Sequence, residues 1–169
     1  MYAFAIKNDR VLVYQRDTTG QHSDSRLTGK ISVGIGGHMD PTDLSLEDSL
    51  WREVDEEAEV VMDGQVLSFR TGLGELNIDS MREVIEITPM GMIKDGRDSV
   101  GAVHLGVACM VAPRKENVEI RLKTGEEAVH YSYLTLDDYD KMISSDQVVP
   151  EGWTEMVIRH EIRPLLSSS

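Results

Sequence analysis

Residues Gly36 to Val60, GGHMDPTDLSLEDSLWREVDEEAEV, constrain the chain more than any other stretch. A glycine turn runs through a polar loop into one acidic segment. From about Ser45, Leu46, Leu50, Val54 and Ala58 recur at i+4 steps, the spacing of a helical stripe that has to be buried. At roughly 100° per residue, Glu53, Glu56 and Glu57 fall within about a 100° arc beside that stripe, whereas Asp55 and Glu59 point away. Ser45 with Asp48 three residues on has capping-box spacing and marks the helix start, with Asp in place of Glu or Gln. Ahead of it, Gly34, Gly36 and Gly37 allow the backbone to bend sharply or to approach a ligand closely.

Three carboxylates at the edge of a core repel one another, by about 0.2–0.5 kcal/mol per i,i+3 or i,i+4 pair. Partial burial further disfavours their ionised forms. A cation is therefore expected among them. Hard divalent ions such as Mg²⁺ take oxygen ligands, a few carboxylates with the remaining positions left to water or substrate phosphates. A carbonyl of the glycine turn could complete such a site.

These residues resemble the Nudix hydrolases. That family's signature reads Gly, five residues, Glu, seven residues, then Arg-Glu-apolar-any-Glu-Glu-any-Gly-apolar. Arg52-Glu53-Val54-Asp55-Glu56-Glu57-Ala58-Glu59-Val60 matches its second half except at Glu59, where the family has Gly. Gly36-Gly37-His38 looks like the family's opening, but Gly37 to Arg52 is one residue longer than the pattern. Asp43 stands six residues after Gly37, where the first Glu would be. A left-handed backbone at position 59 would be strained with Glu there.

The resemblance implies an α/β/α sandwich with a mixed sheet, and a metal-dependent hydrolase that cleaves a diphosphate linkage in a nucleoside diphosphate derivative or a related small phosphorylated metabolite. It makes Glu53, Glu56 and Glu57 the metal-facing carboxylates, with Glu53 and Glu57 first among them and a carbonyl of Gly37 or Gly36 beside them. Mg²⁺ is the expected ion and Mn²⁺ the alternative. Arg52 would orient a glutamate by a charge-assisted hydrogen bond. The family draws its general base from the helix or from a later loop, which leaves Glu56 open against Glu126 or Glu127. His38, Glu126 and Glu127 are the substrate-binding candidates, with His104 and His130 as further histidines near strands. Other readings are a Nudix-fold module that senses a nucleotide or sugar-phosphate without cleaving it, a protein-interaction face on an unrelated domain, and, more remotely, an isomerase acting on a diphosphate.

At 169 residues the chain is expected to form one domain, 1–169. A formal charge of -13, with no basic run to offset it, argues against nucleic acid and anionic membranes as partners. Cys109, the lone cysteine, lies in VACMV and reads as a buried thiol. No apolar run approaches the roughly 20 residues that span a bilayer, and the N-terminus lacks the pattern of a signal peptide, so a cytoplasmic protein is expected.

The remaining pattern is mostly strands. Tyr2–Ile6 and Arg10–Tyr14 flank the polar Lys7-Asn8-Asp9 and predict a hairpin. Residues 18–28 read as a surface loop that, with Arg16, His22, Arg26 and Lys30 in or beside it, could close over a phosphate. Strands are expected at Lys30–Ile35, Gln65–Thr71, Val84–Lys94, Val100–Ala112, Val118–Leu122 and around His130–Tyr133. Pro89 marks Val84–Lys94 as an edge, bulge or break, and Val100–Ala112 is apolar enough for a central position. Gly72–Arg82 reads as a loop. Helices are expected from Ser132 or Thr135 through Met142 and from Trp153 to Leu165. Tyr14, Trp51, Phe69, Tyr131 and Tyr133 are nominated for base stacking, and edge strands with nine methionines suggest a homodimer.

Overall fold

A computed structural model describes residues 1–17, 26–96, 104–123, 128–145 and 148–167. The chain enters as the expected hairpin, β1 (Tyr2–Lys7) and β2 (Arg10–Arg16). Asn8 and Asp9 close it with φ of 51° and 56°, the left-handed pair that a two-residue turn needs to match strand twist. β3 (Ile31–Ser32) pairs with the far end of β2, and Ile35 bridges to Ala3. Helix α1 (Leu46–Glu57) follows and passes directly into β4 (Ala58–Met62) and β5 (Gln65–Val66). After the short helix α2 (Ile78–Arg82) come β6 (Ile85–Ile93), β7 (Gly106–Pro113), β8 (Val118–Leu122) and β9 (Ala128–Leu134). The C-terminal part holds α3 (Leu136–Ser144), then α4 (Gly152–Val157), a π-helical turn over Ile158–Ile162, and α5 (Arg163–Ser167).

The larger sheet has six strands and runs β3-β2-β1-β7-β6, with β9 on β2. Val11 faces both Ile6 and Leu134, and Tyr14 both Ser32 and Tyr131, so β9 occupies the edge of β2 opposite β1 and β3. β1 and β7 are parallel while the other pairings are antiparallel, which makes the sheet mixed as expected. β6 lies at the edge and its register slips between Pro89 and Gly91; the missing N–H of proline is tolerated there. A second sheet of three strands runs β5-β4-β8.

Alternation along β1 divides the interior in two. Ala3 and Ala5 face one core with Leu50, Trp51, Val54 and the small sheet, whereas Tyr2, Phe4 and Ile6 face another with α3 and the C-terminal helices. β7 does the same, sending Cys109 and Val111 one way and Ala108 the other. A sheet covered on both faces is the α/β/α layering expected of the sequence.

Four local expectations are corrected. Leu46 does not join the buried stripe: at 47% exposed it lies outside the core, and Trp51, 4% exposed, packs in with Leu50, Val54 and Ala58 instead. Gly72–Arg82 contains α2, capped by the Asn77 side chain accepting from the Ser80 N–H at 3.0 Å. The strand expected over Gln65–Thr71 shortens to Gln65–Val66, with Arg70 bridging Leu76. Finally, Glu59 carries no strain, because the positive-φ residues other than glycine are Asn8, Asp9 and Asp63 among the described residues. Ala58 is already extended, φ -121° and ψ 150°, so α1 leaves straight into a strand and needs no left-handed exit.

Candidate active site

Ser45 starts α1 as the sequence indicates. Its hydroxyl accepts from the Asp48 N–H at 3.0 Å and donates to the Asp48 carboxylate at 2.8 Å, which satisfies one of the orphan N–H groups of the first turn. The acidic turns of the helix are thereby aimed at the loop that precedes it. That loop is fixed to the sheet, since Ala3 and Ile35 exchange backbone hydrogen bonds of 2.8 and 2.6 Å. Gly36 then turns with φ of 128°, a conformation open to glycine.

Two carboxylates meet the turn. The Gly36 N–H donates to Glu57 Oε2 at 2.8 Å. Glu53, 6% exposed, lies against Gly37, where an added Cβ would fall 2.7 Å from Oε2. The Gly37 carbonyl accepts from the Met1 amino group at 2.5 Å. Burial lowers the pKa of that amino group, and the negative charges of Glu53 and Glu57 oppose the shift. The amino group thus lies on the Gly37 carbonyl, within the field of the two glutamates.

Arg52 gathers the remaining acids. Its Nε and Nη2 grip the two oxygens of Asp43 at 3.0 Å each. Nη1 lies 2.9 Å from Glu53 Oε1 and 2.8 Å from Glu56 Oε2, and Nη2 also donates to the His38 carbonyl at 3.0 Å. The bidentate contact with Arg52 holds Asp43 well below the ordinary carboxylate range and pushes Arg52 up. Asp43 therefore ties the loop to the helix through Arg52. Glu56 is the outlier among the three helical glutamates: its side chain is 47% exposed and turned toward solvent, rather than set at the seam with Glu53 and Glu57. One guanidinium nitrogen stands between Glu53 and Glu56, and among the described residues no three His, Cys, Asp or Glu side chains are arranged to ligate a metal as they stand. The donor set at the turn nonetheless fits a hard cation, because it offers two carboxylates and one carbonyl oxygen.

Solved structures share this architecture. Tm1382, a candidate Nudix hydrolase, superposes with a TM-score of 0.61 at 22% identity, over 99% of this chain and 69% of its own. The NUDIX domain of Shewanella oneidensis NrtR, crystallised with ADP ribose, does so with a TM-score of 0.52 at 16% identity, over 97% and 84%. The chain has the Nudix fold. The resemblance read in the sequence is borne out at that level, and the Nudix-like run Arg52–Val60 lies across α1 and the start of β4. Protein YmaB of Bacillus subtilis (strain 168) is 26% identical over 164 residues, 93% of this chain and 67% of YmaB. A scan against models of protein families finds no match.

Beside the acidic turn of this Nudix fold opens a pocket of about 480 Å³, lined by Gly36, Gly37 and His38 on the acidic side and by Leu46, His104 and Trp153 on the other. His38 and His104 are brought together, ring centroids 5.2 Å apart. His130 is exposed on β9 and pairs through its backbone with Gln15. Glu126 and Glu127 lie outside the described residues, as does His22. Arg16 is not aimed at a phosphate by the loop: it contacts the Glu151 carboxylate, which also accepts from Ser32 Oγ at 2.9 Å. Of the aromatics nominated for stacking, Tyr14, Trp51 and Phe69 are packed in the core at 4%, 4% and 8% exposed, and Tyr133 donates to the Ile120 carbonyl at 2.8 Å. The aromatics at the pocket are Tyr2 and Trp153 beside the two histidines, and the sequence presented Trp153 only as the beginning of a helix. Nothing local could have singled it out, because its neighbours here are Tyr2 on β1 and His104 just ahead of β7.

Proposed function

We propose that this protein is a metal-dependent hydrolase that cleaves the diphosphate linkage of a small phosphorylated metabolite, with a nucleoside diphosphate derivative as the leading substrate class. The observation that carries this reading is that Glu57 and Glu53 both lie against the Gly36–Gly37 turn, whose two glycines line a ligand-sized pocket. Glu53 and Glu57 with the Gly37 oxygen would hold Mg²⁺, or Mn²⁺ in its place. When bound, such an ion supplies charge neutralisation to a diphosphate and lowers the pKa of water. The ligand crystallised with the NrtR domain, ADP ribose, is a diphosphate of this general kind.

The protein's own residues supply position and proton transfer. Arg52 anchors the Glu53 carboxylate and ties α1 to the loop through Asp43, so that the helix and the glycine turn hold one spacing. Glu56 is the candidate general base: Arg52 holds Oε2, while Oε1 lies at 4.0 Å from Arg70 on an exposed side chain that water reaches. In hydrolysis the water oxygen forms a bond to phosphorus, Glu56 takes the water proton, and the bridging P–O bond breaks with its electron pair going to the departing phosphate. His38 stands at the pocket mouth as a substrate contact.

The test is Mg²⁺-dependent product release from a panel of nucleoside diphosphate derivatives by the wild type and by Glu57→Gln, alongside Mn²⁺ binding followed by electron paramagnetic resonance. Turnover that falls at least about 100-fold in the variant, together with weakened Mn²⁺ binding, is the expected result. A wild type that binds no divalent ion would overturn the reading.

A further inference from the structure

The pocket beside the acidic turn keeps apolar side chains in contact with water. Met39, Leu46 and Leu105 line it and are 51%, 47% and 61% exposed. Leu46 has the i+4 spacing of the buried stripe of α1, yet it lies at this rim and outside the core. Apolar side chains left wet around one cavity are a mark of a ligand-binding groove.

The acidic and basic side chains that line the same pocket hold each other. Arg16 contacts the Glu151 carboxylate, which also accepts from Ser32 Oγ at 2.9 Å. The Tyr2 hydroxyl shares a 2.6 Å hydrogen bond with Thr154 Oγ1. Trp153 lines the pocket with its Nε1 buried, so the indole surface that a ligand meets is carbon. His104 stands beside two rings, His38 at 5.2 Å and Trp153 edge-on at 6.5 Å. A neutral imidazole carries one donor and one acceptor nitrogen, so the two histidines can meet either kind of partner and commit to neither. Four ring-bearing side chains with an apolar rim suit a flat ring better than a chain, because rings pack on rings in offset and edge-on arrangements.

We infer that the pocket seats the base of a nucleoside diphosphate by its faces and leaves the hydrogen-bonding edge of the base unread, with Leu46 and Leu105 as specificity-determining residues. This rests on the diphosphate-hydrolase reading for the place of the phosphates, at the Gly36–Gly37 turn that lines the same pocket. Burial and stacking act on every base, since each has a π face. The protein therefore separates bases by ring size and not by identity. Purines, with the larger face, bind more tightly than pyrimidines. Adenine and guanine, which carry a donor and an acceptor at the same ring position, bind alike, and so do cytosine and uracil.

The test uses the whole chain with Mg²⁺. Calorimetry compares ADP, GDP, UDP, CDP, dimethylallyl diphosphate and inorganic pyrophosphate, each as its methylene-bridged analogue so that none is cleaved. The proteins are the wild type, the double variant Leu46→Ser with Leu105→Ser, and Leu44→Ser, a control whose side chain is 95% exposed and does not line the pocket. ADP and GDP should agree within about fivefold, and UDP and CDP likewise, because a good edge contact discriminates by about that factor or more. The double variant should weaken the four nucleotides roughly tenfold and leave pyrophosphate unchanged, which also shows it to be folded. Leu44→Ser should change nothing. Four results would overturn the proposal: a difference beyond about fivefold within either pair, nucleotides weakened no more than pyrophosphate by the double variant, Leu44→Ser as damaging as that variant, or the dimethylallyl analogue bound as tightly as that of ADP. Saturation-transfer NMR with bare adenosine separates the pocket from the hydrolase. Adenosine saturated by the wild type and not by the double variant, with no diphosphate turned over, sinks the hydrolase and keeps the pocket. Turnover of diphosphates with nucleotide affinity indifferent to the rim does the reverse.

Discussion

Gly37 and Glu53 occupy adjoining space so closely that a Cβ on residue 37 would fall 2.7 Å from Glu53 Oε2 and 3.1 Å from its Cδ. A glycine in a loop thus sets the position of a carboxylate on a helix sixteen residues later in the chain. Gly37→Ala is expected to displace the Glu53 carboxylate, which is the far end of a flexible side chain, with little cost to the fold. Mg²⁺ affinity and turnover should drop about 10–100-fold while the thermal midpoint stays within a few degrees. Gly36→Ala should behave differently, because its φ of 128° strains any side chain; there the midpoint falls too, by strain of roughly 1–3 kcal/mol. Comparing metal affinity and midpoint in the two variants checks both statements.

Asp43 links the loop to α1 only as a carboxylate. Arg52 holds it below the ordinary value of 3.8, so folding favours the ionised form. The stabilisation is fully present above the unfolded-state value and is lost as pH falls below it toward the depressed folded-state pKa. Asp43→Asn should therefore be less stable than the wild type at pH 6, with the difference shrinking from about pH 4 downward. Urea midpoints at pH 6, 4 and 3 measure this, and a gap that widens on acidification would refute it.

At the alkaline end the buried thiol takes over. Burial pushes Cys109 up to about 11 from 9.0, so the folded protein keeps its proton in a range where the unfolded chain loses it. Stability from this group is complete below pH 9 and declines as pH rises toward 11, by at most about 3 kcal/mol. Cys109→Ala should lose less stability than the wild type between pH 9 and 11. Parallel declines in the two proteins would show that the thiol contributes nothing.

Glu59 stands where the family pattern has glycine, yet its backbone is extended and opposite Arg121 in the β4–β8 ladder. Glu59→Gly is therefore expected to destabilise the protein, by about 0.5–1 kcal/mol from backbone entropy alone. A rise in the urea midpoint of this variant would mean that the helix exit is strained after all.

Much of this arrangement was legible before any coordinates. Ser45 as cap, the strands of the hairpin, β8 and the edge character of β6 all follow from short-range chemistry: a hydroxyl before an apolar period, a polar two-residue turn, a proline that cannot donate. What could not be read was which face of each element would be spent on the core. Leu46 has the spacing of a buried residue and lies at a pocket rim, while Trp51, off the i+4 series, is buried. Periodicity says that a stripe exists, but its width and end depend on how far the opposing sheet extends.

The sequence by itself determined that a glycine turn would lead into a capped acidic helix, that strands would dominate around it, and that Glu53 and Glu57 would lie on one side, because these depend on residues within one or two turns of each other. Only the tertiary structure decided that Arg52 would bind Asp43, that Glu56 would turn outward, and that Trp153 would stand beside Gly106, Tyr2 and His104. The contacts of Trp153 join residues from distant parts of the chain, and their distances are set by how β1, β7 and the C-terminal helix pack, which no local pattern encodes.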